Sequence, residues 1–380
     1  MTNVTMTNVT TSNVTTAKTK ATSRAAIRQC RLPKVAAFFA LALSSLAGAP
    51  ASADDDHTLR VMNQNLYVGT MFKEFAAAKT PSDFISAATL TYQNILATKP
   101  AERAAVIADE IATLRPDLVG LEQAAILRTG LTPPATTVTF DLLQTLLQEL
   151  AARGQRYETV AVDPGFDAEV PTLLGFDIRV TLRNALIVRS DLLEGDAKLS
   201  NLQIRHYIAE PSQVTPVGVV GDTTGYASID VTLRGRKFRF VTTHFDVSPA
   251  LGLPQAVELA QTALNTTLPI ILVCDCNSPP DVPSVPNYAA YQVLKNAGFV
   301  DAFRTARPSD PGFTCCQAES LINMTSALSF RIDLVQFRGP FTVNDVQVVG
   351  ASPADRARLG LWPSDHAGVV ATLTLTAPGE

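Results

Sequence analysis

The sequence has 380 residues, of which 46% are hydrophobic and 17% are charged, and it contains 20 Gly and 24 Pro. This is the composition of a globular protein, and the length suffices for one large core or two smaller ones, which excludes a fibrous or low-complexity chain. The formal net charge of −4 argues against a tight, non-specific nucleic-acid binder, because an acidic body does not attract polyanions by its overall field.

The first 53 residues have the features of a leader. Residues 1–29 repeat a five-residue Thr/Asn unit, contain no Asp or Glu and have little apolar surface to bury, so we expect disorder there. The leader holds six Lys or Arg and no acidic residue. Its removal would leave 25 basic against 35 acidic residues, a net charge of about −10.

The second half of the leader has the pattern of a signal peptide. Three basic residues come first: Arg28, Arg31 and Lys34. The apolar run 35–49 follows, and residues 51–53 (Ala-Ser-Ala) have the small-x-small pattern of a cleavage site. A membrane anchor is the alternative, but the run is shorter than the ~20 residues that span a bilayer, and Pro50 interrupts it. We therefore predict cleavage after Ala53, a secreted or periplasmic protein, and no transmembrane segment in the mature chain.

Apolar periodicity predicts the elements that follow. Ala104, Ile107 and Ile111 recur at helical spacing, whereas short β-branched runs bounded by turn residues indicate strands. In chain order we predict a strand at 59–66, a helix at 101–115, a strand at 117–121, a helix at 140–153, strands at 157–162, 184–188, 226–233 and 237–243, a helix at 253–264, a strand at 269–274, a helix at 289–297, and strands at 331–336, 343–349 and 369–375.

The order of these elements indicates an α+β protein. Strands and helices intermingle without strict βαβ alternation, and no Pro/Gly/Ser linker divides the chain after the leader. We predict two mixed β-sheets packed together with helices outside, in one domain that spans residues 54–380.

Four cysteines remain after the leader, in a C-x-C pair and a vicinal pair: Cys274, Cys276, Cys315 and Cys316. Their spacing fits no common zinc template. An even number in an exported protein suggests one or two disulfides, and a bond between the two segments is one interpretation. The other is that Cys274 and Cys276 are small buried strand residues.

Polar residues follow the apolar runs at six places in the sequence: Asn65, Glu122 with Gln123, His244, Asp275 with Asn277, Asp333, and Asp365 with His366. Functional groups are often held at strand ends on a rigid scaffold. Each of these residues alone has an ordinary explanation, such as a solvated carboxylate or a turn. Their order along the chain is more informative.

Six motifs carry that order: VMNQNLYVG (61–69), PDLVGLEQ (116–123), FVTTHFDV (240–247), ILVCDCNSPP (271–280), FRIDLVQFRG (330–339) and PSDHAGVV (363–370). Together they resemble the endonuclease/exonuclease/phosphatase superfamily, in its DNase I-like and neutral-sphingomyelinase-like branches, as a secreted bacterial-type member. The resemblance covers nearly all of the chain after the leader. It implies a four-layer α/β/β/α sandwich and metal-dependent hydrolysis of a phosphoester.

The resemblance also implies a metal site. Asn65 and Asp365 match oxygen ligands of a divalent cation, usually Mg²⁺, with Mn²⁺ or Ca²⁺ as alternatives, and such hard ligands suit Mg²⁺. The family ends its second motif strand in Leu-Gln-Glu, whereas this chain has Glu122 before Gln123. Strict register places Gln123 at the ligand position and turns Glu122 away. A bulge could instead turn Glu122 inward.

The same resemblance implies roles for five catalytic residues. His366 matches the catalytic histidine, and Asp333 matches the carboxylate that orients it. Asp275 and Asn277 match the pair that orients the attacking water and holds a phosphate oxygen. His244 matches the histidine that assists the leaving oxygen. Whether Asp275 or His366 takes the proton from water stays open.

Two functions are consistent with these residues. The first is a secreted phosphoesterase, which we expect to be a monomer. It would act on nucleic acid, a phospholipid headgroup or a small phosphoester without forming a stable nucleic-acid complex. The second is a secreted binding protein of the same fold with weakened or lost catalysis, which the Glu122–Gln123 exchange would explain.

Overall fold

The computed structural model describes residues 57–210, 212–215, 218–221, 224–356 and 360–376. The predicted leader at 1–53 lies outside the described residues. The described strands and helices all fall within one unit that spans residues 51–380. Among these helices, none has the length and apolar character needed to cross a bilayer.

Sixteen strands are present in the described part of the chain. Their bounds are β1 Thr58–Asn65, β2 Leu118–Glu122, β3 Ile126–Gly130, β4 Thr137–Asp141, β5 Tyr157–Pro171, β6 Asp177–Arg189, β7 Ala197–His206, β8 Ser212–Thr215, β9 Gly218–Gly221, β10 Gly225–Leu233, β11 Arg236–His244, β12 Ile270–Asp275, β13 Val300–Asp301, β14 Asp333–Arg338, β15 Phe341–Val349 and β16 Gly368–Leu375. All ten predicted strands are among them, with ends that differ by a few residues except in β5 and β6.

Eight α-helices accompany them over the same described ranges. Their bounds are α1 Lys73–Ala76, α2 Pro81–Ala97, α3 Pro100–Leu114, α4 Leu142–Ala152, α5 Ser190–Glu194, α6 Pro249–Gln261, α7 Tyr288–Asn296 and α8 Ala302–Ala306. The four predicted helices correspond to α3, α4, α6 and α7. The longest helix, α2, was not predicted, and it begins at a capping box in which Thr80 accepts from the backbone N–H of Asp83.

The strands form two large mixed sheets. One has eight strands in the order β15-β16-β1-β2-β6-β3-β4, with β5 also paired to β6, and only its β1–β2 pair is parallel. The other has six strands in the order β13-β14-β12-β11-β10-β7, and only its β11–β12 pair is parallel. β8 and β9 form a separate two-stranded ribbon.

The cores show how the two sheets stack. Side chains alternate between the two faces of a strand. In β1, Leu59 and Val61 lie in an apolar core that also contains residues of the six-stranded sheet, such as Phe240 and Val273. Met62, one position later, lies instead in a core with helices α2, α3 and α4.

A third apolar core packs the outer face of the six-stranded sheet, including Leu272, against α6 and α7. Helices therefore cover both outer faces, and the two sheets meet in the middle. This confirms the predicted four-layer α/β/β/α sandwich. Gly120 allows a close approach of the sheets, because a Cβ at this position would lie 2.5 Å from Thr242 Oγ1 and 2.5 Å from Val273 Cγ2.

β5 and β6 are much longer than predicted. Both continue as a hairpin through residues 163–183 that carries many polar side chains, so apolar alternation does not indicate it. Arg179 contacts Asp167 across the hairpin, with Nε 2.9 Å from Oδ1. Thr181 also donates to Asp167. Cross-strand polar pairs thus replace apolar burial as the signal for pairing in this extension.

Candidate active site

Inward-facing positions of the strands change from apolar to polar at one edge of the sandwich. In β1 the inward series is Leu59, Val61, Asn63 and Asn65, and all four are buried. β2, β11 and β12 change in the same way at their last inward residue, and β14 changes at its first inward residue. We call this edge the polar rim, formed by Asn63, Asn65, Glu122, His244, Asp275 and Asp333.

Strand pairing explains why these residues meet. β1 and β2 run parallel, and Asn65 is in register with Glu122. β11 and β12 also run parallel, with His244 in register with Asp275. Since β14 is antiparallel to β12, its first residue, Asp333, lies beside Asp275. The polar rim is therefore made where the two sheets face each other.

His366 and Asp333 form a buried pair at the polar rim. His366 Nδ1 lies 2.8 Å from Asp333 Oδ2. Burial alone would lower the pKa of His366, but the carboxylates of Asp333, Asp275 and Asp365 raise it well above its ordinary value. A carboxylate on Nδ1 fixes the ring orientation and leaves Nε2 for other groups.

Asp275 connects groups from both sheets. Its Oδ2 accepts a hydrogen bond from Asn65 Nδ2 at 2.9 Å. The same oxygen lies 3.3 Å from His244 Nε2 and 3.7 Å from His366 Nδ1. Oxygen or nitrogen atoms of Asp275, Asp333 and His366 all lie within 4.8 Å of one another, close enough to hold one ion. Residues up to 301 positions apart in the sequence thus converge here.

Asn277 lies next to His244 because the chain turns after the end of β12. β12 ends at Asp275, and Asn277 has a left-handed backbone with φ 45°. This turn places Asn277 Nδ2 3.2 Å from His244 Nε2 and 2.8 Å from the carbonyl oxygen of Phe245. The backbone N–H of Asn277 donates to Asp275 Oδ1 at 3.2 Å. Asp275, Asn277 and His244 therefore form one connected group.

Glu122, rather than Gln123, faces the polar rim. Glu122 is fully buried, and its Oε1 accepts from Thr242 Oγ1 of the opposite sheet at 3.3 Å. Gln123 follows the end of β2 with φ 51°, and its Oε1 accepts from the backbone N–H of Val68 at 3.1 Å. The strict-register interpretation, which placed Gln123 at the ligand position, thus differs from the structure.

The electrostatics of Glu122 are those of a crowded carboxyl group. Burial raises its pKa well above the ordinary value, and the nearby carboxylates of Asp275 and Asp333 raise it further. Burial likewise raises the pKa of Asp365 to about 6, against the opposing effects of His366 and Arg103. Four buried carboxyl groups therefore share a small region with two positive side chains. Such an excess of negative charge is stabilised by a bound cation.

Unpartnered oxygen atoms support the same conclusion. Among the described residues, Asn63 Oδ1, Glu122 Oε2 and Asp365 Oδ1 are buried and have no hydrogen-bond donor. Asn65 Oδ1, in contrast, accepts from the backbone N–H of Tyr67 at 2.9 Å. Buried polar atoms normally have partners, and hard oxygen ligands are those that Mg²⁺ prefers. The donor set therefore fits a hard divalent cation. Asn63 was not predicted from the sequence.

Arg103 supports the loops that carry the polar rim. This arginine lies on α3 and is fully buried, which lowers its pKa to about 10. Its guanidinium donates to four carbonyl oxygens, those of Leu66, Tyr67, Thr98 and Pro363, at 2.7–3.0 Å. It thereby joins the loop after Asn65 to the segment before Asp365. Sequence periodicity predicted α3 but gave no sign of this role.

Replacing Arg103 with Met should destabilise the fold by about 3–5 kcal/mol. Each buried carbonyl oxygen that loses its donor costs about 1–3 kcal/mol, and water recovers part of this. Urea unfolding followed by circular dichroism measures the loss. The control is Arg205→Met, an exposed arginine on β7, which should change the free energy of unfolding by less than about 0.5 kcal/mol. Equal stability of the two variants would contradict the supporting role.

The structure pairs the cysteines within each segment. Cys274 is bonded to Cys276, and Cys315 is bonded to Cys316. The interpretation that a disulfide joins the two segments is therefore wrong. Cys274 and Cys276 are also buried, so these two residues both pack in the core and form a disulfide. The pair flanks Asp275 on the outer face of β12, since Cys274 and Cys276 belong to the core with α6 and α7.

Segment 363–366 completes the arrangement. Ser364 Oγ donates to the carbonyl oxygen of Asn65 at 2.7 Å and accepts from the backbone N–H of His366 at 3.1 Å. His366 Nε2 lies 3.9 Å from Asp365 Oδ1. The structure thus brings together all the predicted site residues except Gln123, which bonds to a loop instead.

Comparison with known proteins supports the fold assignment. No protein-family model and no curated protein matches the sequence. Solved structures do match. An endonuclease/exonuclease/phosphatase family protein from Leptotrichia buccalis has a TM-score of 0.53 at 14% identity, over 83% of this chain and 99% of that one. A protein of the same description from Beutenbergia cavernae has a TM-score of 0.54 at 19% identity, over 84% of this chain and 72% of that one. A third, from Bacteroides thetaiotaomicron, has a TM-score of 0.51 at 16% identity, over 84% of this chain and 99% of that one.

Proposed function

Since the chain has the fold of the endonuclease/exonuclease/phosphatase proteins, we propose that it is an exported, divalent-metal-dependent phosphoesterase. It would hydrolyse a P–O bond in a phosphodiester or a phosphomonoester, with residues 54–380 as a single, monomeric catalytic domain. The observation that supports this most is the direct contact of Asn65, Asp275, Asp333 and His366, which come from four separate motifs.

The proposed cation would be held by Glu122 and Asp365 together with an amide oxygen of Asn63 or Asn65. These groups offer buried oxygen atoms, and Mg²⁺ is the ion that suits them best, with Mn²⁺ and Ca²⁺ as alternatives. A divalent ion supplies Lewis-acid stabilisation of phosphate oxygens when bound. Gln123 is not part of this proposed ligand set, because its side-chain oxygen bonds to Val68.

The remaining residues supply orientation and proton transfer. Asp333 holds His366, so that the imidazolium can stabilise a phosphate oxygen or exchange a proton through Nε2. Asp275 lies within reach of both histidines and is placed to orient an attacking water. Asn277 and His244 lie side by side, which suits an amide donor to a phosphate oxygen beside an acid for the leaving oxygen.

The proposed substrates are nucleic acid, a phospholipid headgroup or a small phosphoester. The net charge of about −10 that would follow from removal of the leader disfavours a stable complex with nucleic acid, although it permits turnover at a cation-bound site. Export rests on the signal-peptide pattern that ends at Ala53.

A substrate panel tests the proposal. The mature chain is incubated with DNA, RNA, sphingomyelin and nitrophenyl phosphoesters in the presence of Mg²⁺, Mn²⁺ or Ca²⁺, with EDTA and the His366→Ala variant as controls. We expect hydrolysis of at least one substrate that requires the ion and His366. Absence of ion-dependent hydrolysis throughout the panel would refute the proposal.

His244→Ala should lower kcat by about a hundredfold without abolishing metal binding. General acid catalysis typically contributes about 10²–10⁴-fold, and His244 contacts Asp275 and Asn277 rather than the proposed ligands. Steady-state kinetics gives kcat, and calorimetric titration with Mg²⁺ gives the affinity. Loss of Mg²⁺ binding in this variant would instead make His244 a ligand.

The alternative of a binding protein without efficient catalysis loses its main support in this structure. It depended on Glu122 pointing away from the site, and Glu122 lies inside. Exchange of the two residues (Glu122→Gln with Gln123→Glu) distinguishes the functions. A gain of activity on exchange would favour the binding protein, whereas a loss is expected for the enzyme.

A further inference from the structure

We propose that His206 and Asp163 form a second anion subsite, which binds a phosphoryl group of the substrate other than the one that is hydrolysed. This inference rests on the proposed function and extends it. Neither residue belongs to the six motifs, and neither contributes to the chemistry described above. Their position relative to the polar rim carries the argument.

His206 continues the line of polar residues across the six-stranded sheet. His206 is in register with Gly225 on β10. On the other side of β10, Tyr226 is in register with Thr243 of β11, so Gly225 lies beside His244. His206 therefore stands two strands away from His244 at the same height of the sheet. Neighbouring strands lie 4.7–4.9 Å apart, so the two histidine backbones are separated by about 10 Å.

A β-bulge turns His206 toward the interior of the sandwich. Inward residues at the start of β7 include Ala197 and Leu199, which would place Arg205 inward and His206 outward. The register shifts between Ser228 and Asp230 of β10, because β7 contains one extra residue there. The shift reverses the alternation and brings His206 to the inward side.

Asp163 holds His206 from the opposite sheet. The Nε2 atom of His206 lies 2.9 Å from Asp163 Oδ1. The carboxylate side chain is 0% exposed, whereas the imidazole is 37% exposed. A buried carboxylate thus orients a histidine that solvent and ligands can reach, as Asp333 orients His366. Asn184 is in register with Asp163 across β5 and β6.

Gly225 makes room for the Asp163 carboxylate on the strand between the two histidines. A Cβ at this position would lie 2.2 Å from the carbonyl oxygen of Arg205 and 2.9 Å from Asp163 Oδ2. Any other residue would therefore displace the carboxylate that holds His206.

The chemistry of the pair suits a phosphate group. Because Nε2 lies 2.9 Å from Asp163 Oδ1, the Nδ1–H of the imidazolium form is the donor left for a ligand. Hydrogen bonds between a charged donor and an anion are about twice as strong as neutral ones. In a chain with an acidic balance, a protonated His206, whose backbone lies about 10 Å from that of His244, would select substrates that carry a second phosphate at about that separation.

The competing explanation is that the pair only joins β5 to β7 and stabilises the packing of the sheets. The two explanations differ in what the loss of His206 changes. A structural contact affects the free energy of unfolding but not the preference among ligands. A subsite affects the preference for a ligand with two phosphates.

Calorimetric titration with two ligand pairs provides the test. Thymidine 3′,5′-bisphosphate is compared with thymidine 5′-phosphate, and propane-1,3-diyl bisphosphate is compared with propyl phosphate, all with Mg²⁺ present and in the His366→Ala background, in which the proposed hydrolysis is prevented. In this background we expect the mature protein to prefer the bisphosphate of at least one pair. In His206→Ala that preference should fall about tenfold, the order expected for one charged hydrogen bond.

His57→Ala is the matched control. His57 precedes β1 and lies about 25 Å along that strand from Asn65, so its removal should leave the preference unchanged. Asp163→Asn should lower the preference less than His206→Ala, because the histidine is kept but no longer held by a charge. His206→Gln, which retains a donor without the charge, should lie between the His366→Ala parent and the protein that also carries His206→Ala.

An unchanged bisphosphate preference in folded His206→Ala would overturn the proposal. If that variant also has a lowered melting temperature, the pair of His206 and Asp163 is a structural contact only. A fall in both ligand pairs indicates recognition of phosphate alone, and a fall in the nucleotide pair alone indicates a nucleotide; both support the subsite. Because binding is measured without turnover, failure of the substrate panel and failure of this inference are distinguishable.

Discussion

Asp333→Asn should lower kcat by about 10⁴-fold while the protein remains folded. Asn can still accept a hydrogen bond from Asn63 Nδ2, which lies 3.4 Å from Asp333 Oδ1. It provides no negative charge to His366 Nδ1, and it can present an N–H where the ring needs an acceptor. In a comparable carboxylate–histidine pair, the loss of the charge and of the correct tautomer costs about that factor.

Steady-state kinetics on the best panel substrate, with melting followed by circular dichroism, tests this expectation. The fall should appear in kcat and leave KM nearly unchanged, since the histidine is proposed to act on the reacting group. Asp345→Asn is the control, because this exposed carboxylate pairs with Arg307 far from the polar rim. A similar kcat in Asp333→Asn and wild type would mean that the pair with His366 has no catalytic role.

Glu122→Gln should weaken Mg²⁺ binding by at least about tenfold to a hundredfold, a loss that is typical even for residues that only hold a ligand. The same substitution should raise the melting temperature of the metal-free protein. It removes one of the four crowded carboxyl groups, whose burial and like-charged neighbours disfavour its ionised form. Function and metal-free stability should therefore change in opposite directions.

Thermal unfolding with and without Mg²⁺ measures both effects. At an Mg²⁺ concentration of 100 times the wild-type Kd, binding stabilises the wild type by about 2.7 kcal/mol, and the variant should gain much less. Gln123→Ala is the control and should keep the Mg²⁺ effect, because Gln123 bonds to Val68 instead. The reverse result, with Mg²⁺ binding kept in Glu122→Gln and lost in Gln123→Ala, would restore the strict-register interpretation.

Much of the fold could be predicted because it depends on alternation within single strands and helices. Apolar alternation indicated β1, β11 and β12, and turn residues indicated where they end. The helix α2 was missed because its buried face includes Thr89 and Thr91, which do not form an apolar stripe. Its strongest local signal was the capping box at Thr80, four residues before Phe84, the first hydrophobic residue of the helix.

The orientation of Glu122 was also present in the sequence. Leu118, Gly120 and Glu122 alternate on one side of β2, and Leu118 belongs to the core between the sheets. Comparison with the family's residue order favoured Gln123, whereas the alternation of this chain favours Glu122. The same count from Val61 would have identified Asn63 as well as Asn65.

Other features depend on tertiary contacts that no local pattern encodes. Arg103 occupies one position in an otherwise regular helix, and its four carbonyl partners lie on three separate segments. The bulge that turns His206 inward is visible only once β7 and β10 are paired. The pairing of the cysteines within each segment likewise depends on how the chain folds at each place.

The division of the polar rim between two sheets has a consequence for how activity arises during folding. Asn65 and Glu122 come from one sheet, and Asp275 and Asp333 come from the other. Neither sheet alone, even if fully formed, would hold the whole polar rim. The proposed catalysis should therefore require the two sheets to be docked, and a mutation that loosens the apolar layer between them should lower activity together with stability.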